Sequence, residues 1–239
     1  MKLSISYIRK FFYFSSLLIS TLCFSQQSFS IDELIGNKLP EDIKNNYNLR
    51  NEVYEAFSKM QEAAKLDGIE IIIASGYRSA QRQLSIWNRK YDRFQKQGLS
   101  DLACVNKIME YSTLPGTSRH HWGTDLDLVM KVDKNPKSLL MTENYEKGGV
   151  FHPLKIWMDT HASKFGFKLV YTNIPNRKGF SYEPWHYTYA PTSEAMMEAY
   201  IKENCILKID LDKIKGCHEI TPEKLITYYN ENIIILNLK

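Results

Sequence analysis

Residues 118–127 of the chain, SRHHWGTDLD, carry the pattern that decides its fold. Two adjacent histidines stand in a polar, loop-like stretch, and residues 124–130 (TDLDLVM) then alternate polar and apolar side chains. Such alternation predicts a half-buried β-strand. Zinc binds imidazole nitrogen and carboxylate oxygen, and a catalytic zinc site takes three protein ligands and keeps one position open. A histidine in the loop and an acid on the strand therefore predict part of a zinc site.

A second segment, residues 183–186 (EPWH), supplies another histidine and another acid. Pro184 argues against a regular helix here, which excludes the helical zinc motif with two histidines one turn apart. On a straight strand, Glu183 and His186 would point to opposite faces. We therefore expect a bend at Pro184 to bring both side chains to one pocket.

Helices and strands follow one another without regular alternation in the rest of the chain. Apolar residues recur every three or four positions over residues 51–66, which predicts an amphipathic helix, and the β-branched run 69–74 predicts a buried strand. This irregular order indicates an α+β domain. The other predicted elements are helices from an N-cap at Ser79 to about residue 97 and at 99–111, 157–165 and 191–202, strands at 167–171 and 182–189, and one helix or strand within 220–239.

The composition is that of an ordinary globular protein. Of its 239 residues, 44% are hydrophobic and 24% are charged, which excludes collagen-like, low-complexity and disordered chains. The length suits one sizeable domain.

The first 25 residues have the pattern of a secretory signal peptide, because three basic residues precede the uncharged run 11–24, FFYFSSLLISTLCF. This run is too short for a comfortable transmembrane span. We expect cleavage after Ser25, export, and no stable membrane span afterwards; an uncleaved membrane anchor is the alternative. Cleavage leaves 28 basic and 27 acidic residues, a net charge of +1 in place of the formal +4. A nucleic-acid partner therefore loses its electrostatic support.

Three cysteines, Cys104, Cys205 and Cys217, follow the predicted leader. In an oxidising compartment, Cys205 and Cys217 are close enough in sequence to form a disulfide, which would leave Cys104 unpaired. Three buried free thiols are the alternative.

The motifs together resemble a known family. The pattern SxHxxGxxxD at residues 118–127, followed by ExxH at 183–186, is similar to that of the zinc peptidases of the D-alanyl-D-alanine carboxypeptidase and dipeptidase family, the VanY and VanX group. The upstream run 75–79 (SGYRS), with Gln83 after it, resembles the VanY-like branch. Three separated motifs in the same order, over roughly residues 50–190, make the resemblance specific. It implies a small antiparallel sheet flanked by helices with a zinc cleft, as in hedgehog-like and D,D-peptidase-like folds.

The resemblance also implies roles for individual residues. It makes His120, Asp127 and His186 the ligands of one zinc ion. Glu183 becomes the general base that takes a proton from water at the metal, a task that a neighbouring carboxylate can perform.

Three further residues are implied to contact substrate. Arg78 would meet the substrate carboxylate or the developing oxyanion, since a guanidinium stabilises negative charge. Ser118 and Gln83 would help to bind the substrate.

One position departs from the family pattern. A small residue usually stands where this chain has Asp125, and strand alternation puts Asp125 on the same face as Asp127. It is either an acceptor that orients a histidine ligand or a sign that the pocket wall differs. We assign the adjacent His121 and Trp122 to the pocket wall or to packing.

Together with the predicted leader, the resemblance implies an exported zinc peptidase with residues 26–239 as one domain, in which residues 191–239 extend a motif-bearing core at about residues 50–190. The expected substrate is a peptidoglycan stem peptide in the periplasm or cell envelope of a bacterium, and the expected reaction is removal of terminal D-alanine. Alternatives are D-Ala-D-Ala dipeptidase, L,D-carboxypeptidase, L-alanyl-D-glutamate endopeptidase and a non-catalytic zinc-bearing wall-binding module. No particular oligomeric state is implied.

Overall fold

The computed structural model describes residues 28–43 and 45–234. It is an α+β fold in which a small antiparallel sheet is flanked by helices, and this confirms the predicted fold class. The helices are α1 (Ile31–Leu34), α2 (Asn51–Leu66), α3 (Ala80–Lys96), α4 (Asp101–Met109), α5 (His152–His161), α6 (Ala190–Lys202) and α7 (Pro222–Asn232), and the strands are β1 (Ile71–Ser75), β2 (Asp125–Met130), β3 (Phe167–Leu169) and β4 (His186–Tyr189).

The four strands lie in the order β1-β2-β4-β3, and every neighbouring pair is antiparallel. The pairing of β2 with β4 places Asp127 opposite His186 and Asp125 opposite Thr188. Directly opposed residues of an antiparallel pair have Cβ atoms about 4.5–5.5 Å apart. The two central strands therefore bring together side chains that are about sixty positions apart in the sequence.

Local sequence signals explain several element boundaries. The apolar positions of α2 form one buried stripe, and the Oγ of Ser79 accepts a hydrogen bond of 3.1 Å from the backbone N–H of Arg82, which confirms Ser79 as the N-cap of α3. The predicted helix at 157–165 begins earlier, at His152, and its last turn, Ala162–Phe165, is a 3₁₀-helix.

Three strand predictions are wrong in detail. The run 69–74 is predicted as a buried strand, but β1 lies at the edge of the sheet, where Ile71 is buried and Ile72 is 40% exposed. Residues 125–129 of β2 are buried on both faces, although alternation predicts a half-buried strand. The polar residues of this strand are buried because their carboxylates form the site described below. The strand predicted at 182–189 begins only at His186, since the His186 N–H donates to the Glu183 carbonyl at 3.1 Å and closes a turn there.

Two hydrophobic clusters stabilise the fold. One joins the sheet to α2 and α5 around Phe57, Leu128 and Trp157. The other joins α3, α4, α6 and α7 around Trp87 and Tyr200. The buried side chains of the second cluster include several between Met196 and Ile233, so the segment after β4 packs into the same core as the helices before it.

All three cysteines beyond the leader are free thiols, so the predicted Cys205–Cys217 disulfide is wrong in this structure. Closeness in sequence does not by itself supply the Cβ geometry that a disulfide needs. Both side chains instead contribute to the helical cluster, and burial raises the pKa of Cys205 to about 11.

The predicted signal peptide, residues 1–25, lies outside the described residues. Among the helices that the structure describes, none is long and apolar enough to cross a membrane.

The last helix is expected to contribute to the stability of the whole domain. The Tyr228 hydroxyl accepts a hydrogen bond of 3.2 Å from the Leu114 N–H and lies 2.6 Å from Thr117 Oγ1. Tyr228→Phe leaves these buried groups short of a partner, so the free energy of unfolding should fall by about 1–3 kcal/mol in urea titrations. Tyr229→Phe, on the same helix but only half-buried, is the control and should change it by less than about 0.5 kcal/mol. Equal stability of the two variants would contradict this role for α7.

Candidate metal centre and its cleft

A cavity of about 530 Å³ opens beside the sheet and contains most of the residues that the sequence analysis singles out. Tyr171 and Phe180 of the helical cluster and Trp185 of the sheet cluster line it, so it lies where the two clusters meet. The predicted site residues in its lining are Arg78, Gln83, Ser118, His120, Asp127, Glu183 and His186.

Three of these residues form a group that could hold a metal ion. One ligand atom each from His120, Asp127 and His186 lies within 4.8 Å of the others, and all three residues are buried. His120 Nε2 is 3.4 Å from Asp127 Oδ2, and His186 Nδ1 is 3.6 Å from Asp127 Oδ1. Two imidazoles and one carboxylate are a donor set that zinc accepts.

The buried carboxylate of Asp127 fits a cation. Its Oδ1 has no hydrogen-bond partner among the described residues, and a buried acceptor without a partner costs free energy. Burial acts to raise the pKa of Asp127, but the nearby His120, His186 and Arg78 outweigh burial and lower it. The carboxylate is therefore ionised and has a free lone pair where the two imidazoles converge.

The ring nitrogens that face away from this point are held by acceptors. His120 Nδ1 lies 2.8 Å from the Gly76 carbonyl oxygen, and His186 Nε2 lies 2.8 Å from Asp125 Oδ2. Metal-binding histidines usually donate their other ring N–H to a carboxylate or a carbonyl, which fixes the ring and its tautomer. The residues present therefore fit a metal ion bound through His120 Nε2 and His186 Nδ1.

Asp125 is fully buried and anchors this arrangement from the far side of His186. Its Oδ2 also accepts from Arg119 Nε at 2.8 Å, while its Oδ1 accepts from the hydroxyls of Thr188 at 2.6 Å and Thr124 at 2.9 Å. Burial acts to raise the pKa of Asp125, but Arg119 and His186 outweigh it, so the pKa lies well below its ordinary value. Of the two alternatives for Asp125, the structure supports the acceptor that orients a histidine.

Glu183 lies next to the same histidine. Its Oε2 is 3.3 Å from His186 Nδ1, the nitrogen that faces Asp127. The turn that ends at β4 brings Glu183 and His186 into one pocket, as the expected bend at Pro184 requires. A carboxylate in this position can exchange a proton with a molecule bound in the cleft.

Arg78 is fixed at the edge of the cleft by two neighbours. Its guanidinium donates to Gln83 Oε1 at 2.9 Å and to Ser75 Oγ at 3.1 Å, and it lies 3.8 Å from Asp127 Oδ2. Gln83 donates in turn to the Thr113 carbonyl at 2.8 Å. Both ends of the Gln83 amide are thus engaged, an arrangement that suits the positioning of Arg78 better than direct contact with substrate.

Two residues beside the ligands have structural roles. His121 points away from the centre, where its Nδ1 lies 2.5 Å from the Arg78 carbonyl oxygen and its Nε2 accepts from the Gly116 N–H at 3.1 Å. Burial lowers the pKa of His121 to about 3, so the ring is neutral.

Arg119, which the sequence analysis did not single out, is 6% exposed and compensates the charge of Asp125. In the sequence, the only signal for this role of Arg119 is its position six residues before Asp125, the acid that departs from the family pattern.

The fold and the cleft define a class, an α+β domain in which a carboxylate and a guanidinium lie beside two histidines and an aspartate that could hold a metal ion. The chain belongs to the VanY family, described as D-alanyl-D-alanine carboxypeptidase, whose model matches residues 46–192.

Three relatives illustrate the similarity. A D-alanyl-D-alanine carboxypeptidase of Enterococcus faecalis is 30% identical over 148 residues, which are 61% of this chain and 49% of that protein. The chain therefore spans about half the length of this curated relative. A solved structure of a vancomycin-resistance D,D-pentapeptidase, a VanY mutant from a VanB-type cassette in complex with Zn(II), is also similar. Its sequence is 25% identical and its TM-score is 0.51, and the match covers 67% of this chain and 83% of that chain. The LD-carboxypeptidase LdcB shares the fold, with a TM-score of 0.50. It is 23% identical, and the match covers 82% of this chain and 81% of that chain.

The contact between Asp125 and His186 predicts a loss of metal affinity when it is weakened. Asp125→Asn keeps the size of the side chain but removes the charge that holds the His186 N–H, so zinc should bind about 10- to 100-fold more weakly. Competition with a chromogenic chelator at fixed pH measures this affinity. Asp133→Asn, which changes an exposed carboxylate, is the matched control. Unchanged zinc affinity in Asp125→Asn would show that the contact does not position the ligand.

Proposed function

We propose that the protein is an exported, zinc-dependent D-alanyl-D-alanine carboxypeptidase that hydrolyses the terminal peptide bond of peptidoglycan stem peptides. The observation that carries the proposal is one cleft in which Glu183 lies 3.3 Å from His186 and Arg78 lies 3.8 Å from Asp127. Membership of the VanY family supports the same class of reaction.

In this proposal, His120, Asp127 and His186 hold one zinc ion. A zinc ion held there would act as a Lewis acid towards the scissile carbonyl and would lower the pKa of water in the cleft. Asp125 keeps the His186 ring in place through the hydrogen bond of 2.8 Å described above.

Glu183 performs the proton transfers. Its carboxylate accepts a proton from the attacking water and then donates it to the nitrogen of the leaving D-alanine, so that the amine departs neutral. The Glu183 side chain is 12% exposed and lines the cleft in which the peptide would bind.

Arg78 recognises the end of the substrate. Ser75 and Gln83 accept two of its N–H groups, and a guanidinium has five, so others remain for a substrate carboxylate. A planar guanidinium can bind a carboxylate with two parallel hydrogen bonds. Ser118, which is buried in the cleft wall, is assigned to substrate binding.

The cellular setting is part of the proposal. Residues 1–25 are removed as a signal peptide, and residues 26–239 act as one domain in the periplasm or cell envelope. The packing of α6 and α7 into the helical cluster supports the single domain.

Glu183→Gln separates catalysis from metal binding. The amide keeps the shape of the side chain but cannot take a proton from water, so release of D-alanine should fall by a factor of about 10² to 10⁴. Zinc content, measured by elemental analysis, should remain one ion per chain. Near-normal turnover would remove Glu183 as the base, whereas zinc binding with no turnover even when Glu183 is intact would favour a wall-binding module.

The bond that is cut is tested with a free and an amidated C-terminus. A stem pentapeptide ending in D-Ala-D-Ala should lose one D-alanine, and C-terminal amidation should largely abolish cleavage, because Arg78 then loses its carboxylate partner. Arg78→Lys should also lower turnover strongly, since an ammonium cannot reproduce the two-pronged contact. Mass spectra of the digests identify the products. Efficient cleavage of the amidated peptide, with a fragment beginning at D-glutamate, would instead indicate an endopeptidase.

A further inference from the structure

Lys90, a residue outside the three motifs, lies in the wall of the same cleft. It is half-buried on α3, and its Nζ donates a hydrogen bond of 2.6 Å to Ser112 Oγ. Within the described part of the chain, no carboxylate lies within ion-pair distance of Lys90, although Glu143 and Glu183 also line the cleft. An ammonium has three N–H donors, so the hydroxyl of Ser112 leaves two of them available.

The surroundings of Lys90 favour an anionic partner. Burial lowers the pKa of Lys90, and the neighbouring cations Arg93, Arg78 and Arg89 lower it further, while Glu183 acts in the opposite direction. A partly buried cation is screened less by water than an exposed one, so an added negative charge would interact with it more strongly. Positive side chains therefore outnumber negative ones around Lys90, and a ligand with a negative charge would compensate them.

Lys90 and Arg78 are placed to contact different parts of one ligand. Gln83, Ile86 and Lys90 follow one another on the face of α3 that lines the cleft, and Gln83 holds Arg78. Seven residues of α-helix separate Gln83 from Lys90 by about 10 Å along the axis. One residue of a peptide spans at most about 3.6 Å. The backbone of Lys90 therefore lies about three extended peptide residues along α3 from that of Gln83, the residue that holds Arg78.

We propose that Lys90 binds a carboxylate of the stem peptide on the N-terminal side of the cleaved bond and so makes the enzyme selective for acidic stem peptides. This inference rests on the proposed function and concerns the part of the substrate that the reaction leaves unchanged. A stem peptide can supply such a carboxylate from two sources. One is the α-carboxylate of a γ-linked D-glutamate at position two, and the other is the side-chain carboxylate of a diaminopimelate at position three.

The test uses zinc-loaded protein with Glu183→Gln, so that peptides bind without being cleaved. Four pentapeptides ending in D-Ala-D-Ala are titrated by calorimetry: one with both carboxylates free, one amidated at position two, one amidated at position three, and one amidated at both. The protein with Lys90 is compared with Lys90→Met, which keeps the apolar stem of the side chain, and with Lys90→Arg, which keeps the charge. Lys96→Met, at the C-terminal end of α3 and exposed, is the matched control.

The result expected is a coupling between Lys90 and one carboxylate. Lys90→Met should weaken binding of the diacid about tenfold, as should amidation of the carboxylate that Lys90 contacts, and the two changes together should weaken it no further. The amidated position that shows this coupling identifies the source. Lys90→Arg and Lys96→Met should bind like the parent protein.

Equal binding of all four peptides, equal weakening of all four by Lys90→Met, or no binding by any of them would overturn the assignment of Lys90. Failure of the proposed function is seen separately, with Glu183 intact, as no release of D-alanine from any of the four peptides. Calorimetry with the Glu183→Gln protein still measures the preference of Lys90 in that case.

Discussion

The register between β2 and β4 is the constraint on which the whole site depends. It sets Asp127 directly opposite His186 and leaves Asp125, two residues earlier, within 2.8 Å of the far nitrogen of the same ring. A slip of one residue would turn every side chain of one strand to the other face of the sheet. It would therefore separate a predicted metal ligand from both its partner ligand and its anchor. The backbone hydrogen bonds of the sheet thus hold the candidate metal centre together before any ion binds.

Burial makes this centre sensitive to charge. Asp125 is fully buried, and its charge is compensated by Arg119 and shared with His186. Removing one partner of such a buried pair leaves an uncompensated charge, which costs far more free energy than losing a surface ion pair. Asp127, in contrast, has one oxygen without a hydrogen bond to any described residue. On the same strand, the carboxylate of Asp125 therefore has hydrogen-bond partners for both of its oxygens, whereas that of Asp127 has an oxygen available to a cation.

Much of this arrangement could be predicted from the sequence, because its signals are local. The spacing of apolar residues predicts α2, and the N-cap serine predicts the start of α3. The motif spacing together with the family resemblance predicts that His120, Asp127 and His186 lie together. The burial of β2 on both faces could not be predicted, since a polar residue in an alternating strand normally faces water. The ion pair between Arg119 and Asp125 could not be predicted either, because it depends on side-chain packing across the sheet. The predicted Cys205–Cys217 disulfide is wrong because closeness in sequence does not determine the distance between the two side chains.

The central claim is that His120, Asp127 and His186 bind zinc while Asp125 fixes the ring of His186. A crystal structure of the zinc-loaded protein, with anomalous data collected at the zinc edge, tests it most directly. The account predicts one zinc peak in contact with His120 Nε2, an Asp127 oxygen and His186 Nδ1, with His186 Nε2 still donating to Asp125. A zinc peak at other residues, or coordination through His186 Nε2 with the contact to Asp125 broken, would contradict it.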